Sequence, residues 1–188
     1  MTDQTGGNAM DGVANRHAQS RQFAAHMLSL PRQGMRPLRK AFDPTQIPEL
    51  LPRIILRERA PDGSYGYRLV GTELQEYFGQ DVTGLPVASG MGDRPARSMQ
   101  LAFDRMIERP CGLRYVMDLV LNSNQMARIE GVSFPFAEVS PPQQIAHTAV
   151  LERPLYIFSA DATTVGKLHE LEGIDLGAGV PGLSDISW

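Results

Sequence analysis

The sequence is poor in the residues that crosslink chains and hold metals. Among its 188 residues there is one cysteine, Cys111. A single thiol excludes an internal disulfide and a zinc site built from several cysteines. Two of the four histidines, His17 and His26, lie nine residues apart on different sides of one predicted helix, whereas zinc sites use closer, facing pairs. We therefore expect no bound metal.

The sequence also lacks an excess of positive charge and a long apolar run. Its formal net charge is −3, without the basic excess that favours nucleic acid. A local basic stretch is interrupted by acidic residues, and we interpret it as a solvated face. The stretch comprises Arg32, Arg36, Arg39, Lys40, Arg53, Arg57 and Arg59. No apolar run approaches the ~20 residues that span a bilayer, and the N-terminus has no signal-peptide pattern. We expect a cytoplasmic protein that neither binds nucleic acid nor inserts into a membrane.

The chain is long enough for one domain with an arm at each end. Residues 1–12 are small and polar, and we expect them to be disordered. Residues 13–34 follow as a helical arm, in which a helix over 13–30 ends before a proline. Residues 161–188 form a C-terminal extension, with a short helix predicted over 165–172.

Between the arms, residues 35–160 form the predicted core. The apolar pattern there has the period of two that is typical of strands. The predicted strands cover residues 54–60, 65–70, 113–121, 126–136 and 144–151. A short helix over 72–78 and a longer one over 95–109 separate the first two strands from the last three. This order indicates an α+β fold, a five-stranded antiparallel sheet with helices on one face and an additional N-terminal helix.

Three groups of residues resemble a known family. In chain order they are Phe42-Asp43-Pro44 with Ile47-Pro48 and Leu50-Leu51-Pro52, then Tyr67-Arg68-Leu69-Val70-Gly71-Thr72, then Phe78-Gly79 with Asp81-Val82-Thr83-Gly84. With these motifs the sequence resembles the single-domain PAS-like family common in alphaproteobacteria. Beyond residue 95 only the order of helix and three strands matches. The resemblance implies a PAS fold and a role in signalling, with no common cofactor or reaction.

The resemblance also allows two cofactors of PAS domains to be weighed. Haem-binding PAS domains usually hold iron with a histidine on the long helix, and residues 95–109 contain none. Light-sensing relatives carry a cysteine in Asn-Cys-Arg, whereas Cys111 lies in Arg-Pro-Cys-Gly. We therefore expect no cofactor, and we interpret Cys111 as a small apolar filler of the core.

The resemblance implies a ligand pocket between the sheet and the helices, and the alternative is a filled core. The candidate lining residues are Tyr67, Phe78, Phe103, Met106, Tyr115, Met117 and Arg128. Arg128 is the most informative of them, because a buried arginine must be paired. The partner is Glu130, Asp118 or an anionic ligand, unless Arg128 reaches water at an edge.

No phosphate-binding loop, nucleophile elbow or catalytic spacing is present, so we expect no enzyme. A lone domain of this kind has no output domain in the chain, so its signal leaves by contact with an unidentified protein. We expect a sensory module that binds a small metabolite. The alternatives are a structural interaction protein without a ligand and a nucleotide- or haem-binding sensor. The apolar stripe Phe23, Met27 and Leu30 packs either on its own sheet or on a second chain, and we expect the second, as a homodimer.

Overall fold

The computed structural model describes residues 17–89, 92–120, 126–137, 142–155 and 167–188. The predicted disorder of residues 1–12 lies outside these ranges. So do the first four residues of the helix predicted over 13–30. The described part of that helix, α1, covers Ala18–Ser29 and ends before Pro31, as predicted.

One antiparallel sheet organises the fold, and its strands are β3 to β8 in chain order. They cover Ile54–Arg59, Tyr65–Val70, Cys111–Val120, Met126–Pro135, Gln144–Leu155 and Leu168–Asp175. In space the order is β4-β3-β7-β6-β5-β8. Strands β4, β3, β7, β6 and β5 form the five-stranded sheet that was expected from the sequence. A separate two-stranded ribbon, β1 (Arg32–Gln33) and β2 (Arg36–Pro37), follows α1.

The sixth strand corrects a prediction, because residues 168–172 lie in β8 and not in a helix. Strand β8 pairs antiparallel with β5 along Cys111–Met117 and covers that edge of the sheet. Arg114 explains the conformation, since it binds Glu170 at 2.7 Å and Glu172 at 3.4 Å. Residues two apart share a face in a strand but not in a helix.

Helices α2 (Thr72–Phe78) and α3 (Asp93–Glu108) cover one face of the sheet. We call this the α3 face. Its buried side chains come from five sheet strands, from both helices and from the chain end. Met99, Phe103 and Met106 bring the apolar stripe of α3 into this core. Cys111 is buried here as the predicted filler, and burial raises the pKa of its thiol to about 12.

Helix α1 covers the opposite face of the sheet, which we call the α1 face. Phe23 and Met27 are fully buried there, and Leu30 is nearly so. Their cluster includes Leu50, Ile54, Phe134 and Ile174. The predicted contact of Phe23, Met27 and Leu30 with a second chain is therefore wrong for this conformation. These three side chains are buried within their own chain. Self-association stays a prediction, but these residues are no longer its proposed contact.

The C-terminal segment after β8 runs back along α3. Ile186 is buried in the core of the α3 face, and Leu183 and Trp188 pack against it. Arg105 of α3 holds Asp185 through both carboxylate oxygens, and Ser98 donates to the backbone of Ser187. The extension is thus part of the same core. No described helix is long and apolar enough to cross a membrane.

Candidate functional site

Six of the seven predicted pocket residues meet on the α3 face. Five of them are buried, namely Tyr67, Phe103, Met106, Tyr115 and Met117. Phe78 is partly buried against the same core, with its ring centre 6.1 Å from that of Tyr67. These six residues lie around the junction of α2, α3 and the sheet, and their role as the lining of a pocket stays a prediction.

Arg128, the seventh, lies elsewhere. It stands opposite Asp118 on the neighbouring strand, and its Nε donates to Asp118 Oδ1 at 2.9 Å. Asp118 also binds His169 at 2.8 Å. About a third of the Arg128 side chain is exposed. Arg128 therefore belongs to an ion-pair cluster on the other face of the sheet, and its place in the predicted pocket is wrong.

A different arginine occupies the centre of the α3 face. Arg57 is only 3% exposed, although the sequence placed it in a solvated basic stretch. Its guanidinium carbon lies 5.0 Å from the ring centre of Phe103 and 5.7 Å from that of Tyr67. Its Nε and Nη1 are buried and find no hydrogen-bond partner among the described residues. No carboxylate in the described part of the chain forms an ion pair with it.

A β-bulge brings Arg57 beside Tyr67. Leu56 pairs with Leu69, but the next residue, Arg57, pairs with Tyr67, so Arg68 is extra on β4. A bulge shifts the alternation of side chains and re-aims them. Here Tyr67 faces inward beside Arg57, and Leu69 is left exposed.

A chain of polar side chains continues from Arg57 across three more strands. The charge of Arg57 acts on Tyr115 of β5: burial raises the pKa of that phenol, and Arg57 opposes the rise. The Tyr115 hydroxyl lies 3.0 Å from His147 Nε2 on β7, and the two rings stack. His147 Nδ1 lies 2.7 Å from Ser133 Oγ on β6. Tyr115 and Ser133 sit around Gly131, where any Cβ would collide with the Tyr115 ring.

The directions of the hydrogen bonds along this chain depend on the tautomer of His147. With the imidazole proton on Nδ1, the ring donates to Ser133 and accepts from the Tyr115 hydroxyl; with the proton on Nε2, both directions reverse. Burial, aided by the charge of Arg57, lowers the pKa of His147 well below its ordinary value. His147 is therefore neutral, and Arg57 carries the charge of the group.

The aromatic rings offset only part of the free-energy cost of burying the Arg57 charge. Desolvating an ion costs several kcal/mol even after the protein relaxes. A cation over an aromatic ring regains ~0.5–2 kcal/mol. The two rings around Arg57 therefore offset part of the cost and leave the rest.

Arg114 is also deeply buried, and its charge is paired with carboxylates, as buried charges usually are. It is 1% exposed and lies on the α1 face. Its Nε donates to the buried Glu130 at 2.7 Å, and Glu130 also accepts the backbone N–H of His17 at 3.0 Å, at the start of α1. Among the described residues, Arg114 is thus a buried arginine with carboxylate partners, and Arg57 is one without.

A small open cleft is lined in part by Phe103. Its volume is about 40 Å³. Ser64 and Gln100 contribute polar atoms, whereas Val87, Met99 and Phe103 give it apolar walls. Phe103 thus contacts Arg57 and also lines the cleft.

The Ser133–His147 pair resembles a nucleophile with its base, but its surroundings oppose that chemistry. Such a base must become imidazolium during reaction, and a carboxylate normally stabilises that state. Here the third group is Tyr115, and the nearby charge is positive. Both ring nitrogens of His147 are already engaged. Within the described residues, no three His, Cys, Asp or Glu side chains are placed to hold a metal ion.

The comparisons with known proteins agree with this architecture. A family model described as PAS domain matches residues 15–144, which is more than half of the chain. The chain belongs to the PAS domain family, and this membership places it among sensory and regulatory modules. The match does not test the alphaproteobacterial group named above. No curated protein and no solved structure matched the chain.

Sequence reasoning missed Arg57 and the hydrogen-bonded chain that starts from it. The signal for Arg57 was its position two residues from Ile55 in a period-two strand, which places both on one face.

Proposed function

We propose that this chain is a non-enzymatic PAS sensor that binds a small metabolite between the sheet and α3 and passes the signal on through protein contacts. The observation that supports it most is the polar chain from Arg57 to Ser133, set in a face that is otherwise apolar. Binding sites combine apolar walls with a few convergent polar groups. A core that served packing alone would gain stability from apolar residues at these positions.

The geometry also suggests how binding reaches the surface. Phe103 contacts Arg57 from one side of α3, and Arg105 holds the C-terminal segment from another. A ligand that moves Phe103 shifts α3 and therefore the segment that ends in Trp188. PAS domains commonly act through protein contacts, and this segment together with α3 offers a surface that responds to the ligand.

The test uses Trp188, the single tryptophan, as a built-in probe. The full chain is screened against small metabolites by melting temperature and by Trp188 fluorescence. We expect at least one compound to raise the melting temperature and alter the fluorescence. Tyr115→Phe should weaken that response, because it interrupts the polar chain.

Phe136→Leu is the matched control, since it trims a buried ring on the α1 face. It should leave the response intact. The proposal fails if no compound stabilises the chain, or if both variants reduce the response equally.

A further inference from the structure

We infer that the ligand of this site is a small monovalent carboxylate and that Arg57 is the residue that binds it. The inference rests on the proposed function and adds the chemical class of the ligand. Its basis is a cation that is buried, unpaired by any described carboxylate and covered by two aromatic rings.

The charge of the site sets the charge of the ligand. Arg57 stays protonated in any protein environment, and His147 is neutral. The group therefore carries one positive charge, which a monoanion neutralises. A dianion would leave a second negative charge in an apolar core, and a cation would meet like charge.

The donors of the site select an oxyanion. Arg57 Nε and Nη1 carry N–H groups without acceptors among the described residues. Carboxylate oxygens are the acceptors that guanidinium groups bind most strongly. Tyr115 is already hydrogen bonded to His147, so the anion takes its hydrogen bonds from Arg57.

The walls of the site favour a short apolar tail. Phe103 contacts Arg57 and also lines the cleft, together with Met99 and Val87. A carboxylate bound to Arg57 extends its tail along Phe103 toward this cleft. At about 40 Å³ the cleft accepts a short tail rather than a large ring system.

The experiment compares sodium propionate with propionamide, its neutral isostere, on the full chain at constant ionic strength. Propionate should raise the melting temperature progressively with concentration, as expected for a ligand that binds the folded state. Propionamide should produce no shift. An equal shift from the amide overturns the inference, because the charge would then be irrelevant.

Two arginine variants locate the site. Arg57→Met should abolish the propionate shift, whereas Arg128→Leu, on the other face of the sheet, should retain it. A propionate shift that survives in Arg57→Met overturns the inference. If Arg57→Met does not fold, the propionate and propionamide arms on the unaltered chain still decide the ligand class.

The outcomes separate this inference from the function on which it rests. If a neutral or cationic metabolite binds and its binding needs Tyr115, the inference of a carboxylate ligand is overturned. The proposed sensor function is then retained. The absence of a response to propionate also counts against the carboxylate. The sensor itself fails only if the wider metabolite screen gives no binding compound.

Discussion

The guanidinium of Arg57 lies 5.0 Å from the centre of the Phe103 ring, so the long helix covers a buried cation with an aromatic face. This relationship joins the sheet to the helix that carries the C-terminal segment. Phe103 also lines a small open cleft, so the residue that covers the charge is reached from outside the core. The predictions below follow from it and from the contrast between the two faces of the sheet.

Replacing Arg57 or Arg114 by methionine should have different effects on the free energy of unfolding. Arg57→Met replaces an uncompensated ion with an apolar chain of similar length, and we expect the free energy of unfolding to stay equal or rise. Arg114→Met leaves Glu130 charged and buried, and we expect a loss of about 3–5 kcal/mol. Urea unfolding of the two variants, without added carboxylate, measures both. A large loss in Arg57→Met would show that the described residues already compensate its charge.

The burial of His147 should make the chain less stable in mild acid. Its folded pKa lies below the unfolded value of ~6.5, so the unfolded chain takes up the proton first as pH falls. The stabilisation is complete above about pH 6.5 and is lost below it, at up to ~1.4 kcal/mol per pH unit. Unfolding between pH 7 and pH 5 should show this slope, and His147→Gln should flatten it.

His26→Gln is the matched control for that slope. Burial lowers the pKa of His26 as well, while Asp43 opposes the shift. We expect its removal to flatten the slope less than that of His147. The account of the polar chain is contradicted if His147→Gln leaves the slope unchanged.

Helix α1 should behave as part of the core. Phe23 packs with its ring centre 6.2 Å from that of Phe134, and Phe23→Ala should cost about 3–5 kcal/mol of folding free energy. Leu28→Ala, on the half-buried side of the same helix, should cost clearly less. Urea unfolding gives the costs, and light scattering follows self-association. If Phe23→Ala splits a dimer at unchanged stability, α1 is an interface between chains.

The C-terminal segment should stabilise the α3 face through its apolar residues. Removal of residues 183–188 uncovers the site of Ile186 and should lower the melting temperature markedly. Asp185→Asn removes only an exposed ion pair with Arg105, and such pairs contribute little. The segment acts mainly through its charge if the two changes prove equal.

The sequence predicted the order of the elements better than it predicted which helix covers which face. Arg128 shares a strand face with Val132 and Phe134 in β6, and that face lies under α1. Nothing in a strand pattern tells which helix packs on a given face, so Arg128 was placed in the wrong cluster. The predicted pocket residues on α2, α3 and β5 do meet on the α3 face, because their apolar periods all point to it.

Arg57 was missed because an arginine within a strand has the same pattern whether it is buried or reaches water. Strict alternation would place Tyr67 and Leu69 on one face of β4, but the bulge at Arg68 turns Tyr67 inward and leaves Leu69 exposed. Strand β8 was missed because Leu, His and Glu residues also suit a helix. Its conformation depends on the open edge of β5 and on Arg114, which are distant in sequence.

The most direct test of the account is the nuclear magnetic resonance signal of the Arg57 Nε–H group in ¹⁵N-labelled protein, assigned by its loss in Arg57→Met. The account predicts a signal protected from exchange with water that shifts on addition of propionate and is unmoved by propionamide. A signal that exchanges rapidly, or that does not shift with propionate, would contradict the claim that Arg57 is a buried cation that binds an anion.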